Sequence, residues 1–382
     1  MKKKILTILS YILVAAAASF WTLLLTAPEE PEYSKLAQLE EIIQEKYIDP
    51  VDEEAIEDAA ATAMVEALGD RWSYYIPASE YQAYLEQMEN AYVGIGITIV
   101  VAEDGTGVEV MVVDENGPAD QAGMQVGDVI VAVDGTRIGG MDTVDIRNMV
   151  RGTENTQVEI TVRRDGEELT MPITRAYVQV PVATGEMLEN GIGLVTINNF
   201  DTRCTDETLA AIEALLDQGA EKLIFDVRNN PGGYAKELVQ VLDYLLPEGE
   251  LFRTVNYTGA EAVDKSDARC LELPMAVLVN ADSYSAAEFF AAALQEYEAA
   301  VIIGEQTSGK GYFQNTYTLD DWSAVGLSIG KYFTPKGVSL EGVGITPDIP
   351  VEVDDETYMA IYYGTLEPEN DPQLQAAIEA LQ

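Results

Sequence analysis

The chain opens on its most uniform apolar stretch. Lys2, Lys3 and Lys4 precede residues 5–27, which carry no charge. As a helix those residues would span ~34 Å at ~1.5 Å per residue, enough to cross a hydrocarbon core of ~30 Å. The lysines predict that this end stays cytoplasmic and that everything after Pro28 lies outside. Ala15, Ala16, Ala17 and Ala18 offer a small-residue site at which a signal peptide would be cut. The apolar run continues through Phe20, Trp21 and Leu23, which favours an uncleaved anchor.

After this segment the period of the pattern changes twice. Leu36, Leu39, Ile42, Ile43 and Tyr47 recur at helical spacing, and a second amphipathic stretch runs over 53–68 until Gly69 ends it. A turn and a short helix are expected within 72–88. From 92 to 175, Val- and Ile-rich runs at 95–101, 108–113, 128–133 and 157–163 are divided by turns such as Asp134-Gly135 and Asp165-Gly166, predicting a β-rich domain. Between 181 and 353, short apolar runs at 193–197, 222–227, 275–280 and 300–303 alternate with helical stretches at 206–218 and 285–298. That alternation predicts an α/β layered core. The expected organisation is a mixed α and β chain: a membrane segment at 1–27, a helical region at 28–90, a β-rich domain at 91–176, and an α/β domain at 177–382 with a helical tail.

Composition narrows the chemistry. The net charge is −44, from 66 acids against 22 bases. Phosphate backbones require clustered Lys and Arg, so nucleic acid is excluded as a partner. The chain contains no histidine. A Ser-His-Asp triad and a His-based zinc site are therefore impossible, and neutral-pH proton transfer falls to Lys, Asp, Glu, Tyr or Cys. Cys204 and Cys270 form no Cys-x-x-Cys motif. A single disulfide and two free thiols both remain open.

Three segments of the α/β domain carry chemistry. Residues 226–233 end a strand and turn through Asn230-Pro231-Gly232-Gly233, exposing backbone N–H groups beside a helix start, where an oxyanion can be held. Residues 279–288 take a buried strand into an Ala-rich helix. Ser283 reads as its N-cap, which leaves Ser285 just inside the helix without a local role. Residues 304–314 nearly match a phosphate loop. However, Gly311 stands where a hydroxyl is needed for magnesium, and 312–319 alternates as a strand, so nucleotide binding is rejected.

The β-rich region resembles a PDZ domain. Gly94-Ile95-Gly96-Ile97 matches the loop that holds a peptide carboxylate, Pro118-Ala119 with Ala122-Gly123-Met124 matches its turn and helix, and Gly127-Asp128-Val129-Ile130 followed by Val133-Asp134-Gly135 matches its central strand. The resemblance implies that a substrate C-terminus adds to an open sheet edge with its charge on Gly94, Ile95, Gly96 and Ile97.

The α/β segments resemble the carboxyl-terminal processing, or tail-specific, proteases. The run Ser283 to Glu288 matches their serine motif, and Gly309-Lys310-Gly311 ending at Gln314 matches their lysine motif, at the family's separation. Ala67-Leu68-Gly69-Asp70, Gly342-Val343-Gly344-Ile345 and Asp371-Pro372 extend the match over nearly all the chain beyond residue 27. Tyr284 and Ala287 stand where the family usually has Ala and Ser, and Ser308 replaces a common aromatic. The resemblance implies a serine endopeptidase without cofactor or metal. Ser285 would be the nucleophile, Lys310 the general base and Gln314 the residue that orients the lysine. Backbone N–H groups of Ala286 and of Gly232 or Gly233 would form the oxyanion hole. Burial would lower the lysine's pKa from ~10.4 and leave a neutral amine. The expected partners are proteins or peptides with free C-termini, the membrane through the N-terminal helix, and a second copy through the helical regions. The expected location is the cell membrane with the catalytic part outside the cytoplasm, or secretion if the N-terminal segment is cut. A catalytically dead, anchored peptide-binding scaffold is the alternative.

Overall fold

Residues 34–382 are described by the computed structural model of this protein; the apolar segment at 5–27 lies outside them. The chain divides after Met64. Before that point lie helix α1 (Ser34–Lys46) and the start of α2 (Glu53–Glu66). The apolar stripe expected on α1 is there and exposed: Leu36, Leu39 and Ile42 all face solvent. Among the described residues no helix is long and apolar enough to cross a membrane.

The second unit begins with β1 (Tyr74–Ile76), α3 (Ala78–Met88) and β2 (Ala91–Gly94). The β-rich domain follows: β3 (Ile97–Val101), β4 (Val108–Val113), a short helix α4 (Pro118–Gln121), β5 (Val129–Val133), β6 (Thr136–Arg137), α5 (Thr143–Val150), β7 (Gln157–Arg164) and β8 (Glu167–Thr174). Its sheet runs β3-β4-β5-β7-β8, with β6 on β5. On β7, Val158, Ile160 and Val162 are buried while their neighbours are not, so the period of two puts one face in the core. Asp142 caps α5 by accepting the Val144 N–H at 2.8 Å. At the other end, buried Arg175 donates to the carbonyls of Met149 and Val150, which the helix leaves without partners. The domain is tied at its base by β9 (Ala176–Gln179), antiparallel to β2.

Beyond it come β10 (Ala183–Met187), β11 (Ile192–Ile197), α6 (Cys204–Asp217), β12 (Lys222–Asp226), α7 (Ala235–Leu245), β13 (Gly249–Asn256), β14 (Glu261–Ser266), β15 (Met275–Val279), α8 (Ala286–Glu296), β16 (Ala300–Gly304), β17 (Tyr312–Thr318), β18 (Ala324–Phe333), β19 (Ile349–Pro350), α9 (Asp355–Tyr362) and α10 (Pro372–Ala380). Strands β11, β12, β15, β16 and β19 are parallel in that order, with β10 antiparallel on the edge. Parallel neighbours need crossovers, and α6, α7 and α8 supply them.

Both faces of this sheet are covered. Leu223, Phe225, Val277 and Val279 pack under α6, α7 and α8. Ile224, Ala276, Leu278 and Ile303 meet Leu374, Ala377 and Leu381 from the C-terminal helix. Burial of each such side chain contributes ~1.5–3 kcal/mol, so unbroken apolar runs are what these strands require. A second, antiparallel sheet runs β1-β18-β13-β14, with β17 also on β18. The carboxyl ends of β11, β12, β15 and β16 open side by side into loops, the place where open α/β sheets bind ligands.

Candidate active site

The loop after β12 is held in place before any ligand arrives. Buried Asn230 donates its amide to the Ile197 carbonyl at 2.7 Å and accepts the Gly232 N–H at 2.8 Å. Asn229 and Asn280 exchange two hydrogen bonds, locking this loop to the one after β15. A Cβ on Gly232 would lie 2.6 Å from the Ser285 Cβ, and one on Gly233 would lie 2.3 Å from the Phe200 carbonyl carbon. Both positions therefore require glycine for close approach. Gly232 had been a candidate oxyanion donor, but its N–H is already given to Asn230. Gly233 bridges to Phe200 with Phe200 N–H on Gly232 and Tyr234 N–H on Phe200, so its own N–H points to the other side. It reaches no acceptor among the described residues.

Ser285 is itself the N-cap of α8, at φ 58° and ψ −123°. This corrects the expectation for Ser283, whose hydroxyl donates to the Val227 carbonyl at 2.7 Å and accepts the Asn280 N–H at 3.0 Å. A positive φ is costly for a side-chain-bearing residue and marks a constrained site. It places the hydroxyl at a helix N-terminus, where partial positive charge favours a developing alkoxide. The Ala286 N–H, one of the helix's unsatisfied first donors, has no protein acceptor among the described residues.

Glu288 ties the serine to the lysine, a role the sequence did not reveal. It is fully buried, and its two oxygens accept from Ser285 N–H, Thr307 Oγ1, Gly309 N–H and Lys310 N–H at 2.6–3.0 Å. Burial pushes its pKa up, against these four donors. A carboxylate is the acceptor that can satisfy four converging donors at once.

Lys310 is half-buried on the loop after β16. Its ammonium lies 5.1 Å from the Trp72 ring centroid and 5.7 Å from that of Tyr284, and the two rings stack at 6.3 Å. Trp72 is anchored by its indole N–H on Glu341, which also accepts the Gly311 N–H at 2.8 Å. Burial lowers the lysine's pKa, opposed by Asp70, Glu288 and Glu341. Gln314 differs from expectation. Its amide donates to the Tyr312 carbonyl at 3.2 Å and to Ser328 Oγ at 3.0 Å, and no hydrogen bond joins it to Lys310 among the described residues.

Ser285, Lys310, Gln314, Gly232 and Gly233 line one cleft of about 630 Å³, walled by Tyr74, Tyr81, Tyr84 and Tyr234. Behind it, buried Arg228 pairs with Asp226 at 2.6 Å and Asp371 at 2.8 Å, fastening the loop after β12 to the start of α10. Cys204 and Cys270 are free thiols.

The glycine loop of the β-rich domain is less open. The Tyr92 ring lies against Gly94, and the Asp114 carboxylate lies against Gly96. The carbonyls of Ile95 and Gly96 accept from Ala119 and Asp114. The Arg151 guanidinium sits 4.5 Å from the Tyr92 ring centroid.

Comparison with known proteins places the chain in a family. Peptidase family S41 matches residues 191–351, and a PDZ domain matches residues 109–164. A probable CtpA-like serine protease of Staphylococcus saprophyticus is 30% identical over 357 residues, 91% of this chain and 72% of that one. The carboxy-terminal processing protease CtpA of Bacillus subtilis is 30% identical over 371 residues, 93% of this chain and 79% of that one. A solved structure of a candidate S41 protease from Bacteroides fragilis shares the fold, with a TM-score of 0.57 at 17% identity over 90% of this chain and 96% of that one. A PDZ domain set before an α/β core whose strand ends carry the serine and lysine motifs, together with these relatives, makes this chain a member of the S41 peptidases, among the carboxy-terminal processing serine proteases.

Proposed function

We propose that this peptidase cleaves protein substrates near their C-termini with a Ser285–Lys310 dyad, and that its PDZ domain receives the substrate's free C-terminus and gates the cleft. The observation that carries the reading is a lysine of lowered pKa lining the same cleft as a serine at a helix N-terminus. Neutral Lys310 takes the Ser285 hydroxyl proton as Oγ attacks the scissile carbonyl. The oxyanion is received by the N–H groups of Ala286 and Gly233. As the C–N bond breaks, Lys310 returns its proton to the leaving amine. Water, activated by the same amine, then hydrolyses the acyl-enzyme and releases a carboxylate.

Lysine is active as base only when deprotonated, so kcat/KM should rise with pH and level off below the ordinary lysine value of ~10.4. Lys310→Ala and Lys310→Arg should each lose about 10⁴-fold or more in peptide cleavage while keeping the wild-type melting temperature. Substantial cleavage by either variant would sink the dyad. The uncharged segment after Lys4 supports anchoring of the catalytic part outside the cytoplasm; recovery of the full-length protein in the cytoplasmic fraction would refute that.

A further inference from the structure

The cleft contains a carboxylate for which the dyad has no use. Asp201 follows β11 and lines the cleft that holds Ser285 and Lys310. Its backbone N–H nitrogen lies only 2.8 Å from where a Cβ on Gly233 would stand, so it flanks the oxyanion loop. It is 7% exposed. Its carboxylate accepts one long hydrogen bond among the described residues, 3.4 Å from the Asn90 amide, and that amide also serves Asn199 at 3.2 Å. The nearby guanidinium of Arg203 is engaged by Glu207.

An unpaired buried carboxylate weakens a fold. Placed next to an oxyanion loop, its charge would also oppose the negative charge that builds in the transition state. Both penalties disappear when a cation sits on it. Tyr84 and Tyr234 line the same cleft, and aromatic rings suit both the apolar stem and the charge of a long cationic side chain. We propose that Asp201 forms a subsite for a basic side chain of the substrate, lysine or arginine, beside the scissile bond. The inference rests on the reading of this cleft as the peptidase site and adds a preference to it.

Burial raises the Asp201 pKa to about 6, so the subsite is charged above that value and neutral below it. Its charge acts on Tyr234 and Cys204, Tyr84 and Glu89 also face Tyr234, and Glu237 and Glu207 face Cys204; burial pushes Tyr234 and Cys204 upward, Cys204 to about 12. The ratio of two substrates cancels the titration of Lys310, which acts on both.

The test is a series of short unstructured peptides with free C-termini, carrying lysine or norleucine, which keeps lysine's four-carbon stem without its ammonium, at each position around the cleaved bond. At one position lysine should raise kcat/KM about tenfold over norleucine at about pH 8. That ratio should fall toward one as pH drops through about 6. In Asp201→Asn it should be near one throughout, and the variant should melt no lower than wild type at neutral pH. Parity of lysine and norleucine at every position in wild type overturns the subsite, as does a ratio that persists in Asp201→Asn. Cleavage of the norleucine series that Ser285→Ala abolishes upholds the cleft in the same experiment, whatever the lysine ratio. Norleucine peptides cut equally well by Ser285→Ala would overturn the cleft and the subsite together.

Discussion

The loop at 228–233 and the loop at 94–97 are both glycine turns expected to receive an oxygen on backbone N–H groups, yet their donors stand in different states. In the first, Asn230 and the Asn229–Asn280 pair fix the backbone, and among the described residues the N–H groups of Gly233 and Ala286 meet no protein acceptor. In the second, the Tyr92 ring packs against Gly94, and the Asp114 carboxylate lies against Gly96, where another carboxylate would be repelled. A catalytic hole benefits from donors fixed before the reaction, because no reorganisation is then needed as charge develops. A loop that must release its ligand, or gate on it, has no such need. Glycine motifs announce possible donors; the side chains around them decide which donors are open.

That contrast can be tested at its strongest point by Gly233→Ala. The added methyl would meet the Phe200 carbonyl carbon at 2.3 Å and displace the loop. We expect kcat to fall about 10³-fold, the cost of losing an oxyanion donor, in a peptide cleavage assay. A fall of less than about fivefold would move the oxyanion site elsewhere. Glu288→Gln is next. Its amide end would face donors with another donor, so we expect a loss of about 2–3 kcal/mol in denaturant unfolding and about 10²-fold in kcat. Wild-type kcat in a measurably destabilised variant would mean that the carboxylate serves the fold alone. The smallest effect is at the peptide loop. Asp114→Asn removes the charge beside Gly96, and a labelled peptide with a free C-terminus should bind about fivefold tighter by fluorescence anisotropy, while its amidated form should not. Unchanged affinity for the free form would show that the Asp114 charge does not oppose a ligand at this loop.

Much of the layout was legible because it depends on local rules. The alternation in 157–163 is the alternation of β7, and the unbroken apolar runs at 222–227 and 275–280 are β12 and β15, buried on both faces. Ser285 and Lys310 were legible as motifs with a characteristic separation. The misreadings concern partners. Ser283 has the composition of an N-cap, but a carbonyl from β12's end draws its hydroxyl away and the helix starts at Ser285 instead. Gln314 follows the lysine by only four residues in sequence, yet the pairing of β17 with β18 brings Ser328 to its amide. Gly232 looked equivalent to Gly233 until Asn230 took one of the two N–H groups.

The sequence by itself determined the class of chemistry. Without histidine a hydrolase of this kind needs another base, and the family resemblance names Lys310 as the candidate. It also determined the order of the parts, since hydrophobic period is set residue by residue. Only the tertiary structure decided how reactive those parts are. The pKa of Lys310 depends on burial and on Asp70, Glu288 and Glu341, while the rings of Trp72 and Tyr284 flank its ammonium, all groups contributed by distant stretches of chain. The isolation of Asp201 likewise appears only when the neighbours of one cleft are assembled. Desolvation and hydrogen-bond satisfaction are sums over everything that surrounds a group, and that sum exists only after folding.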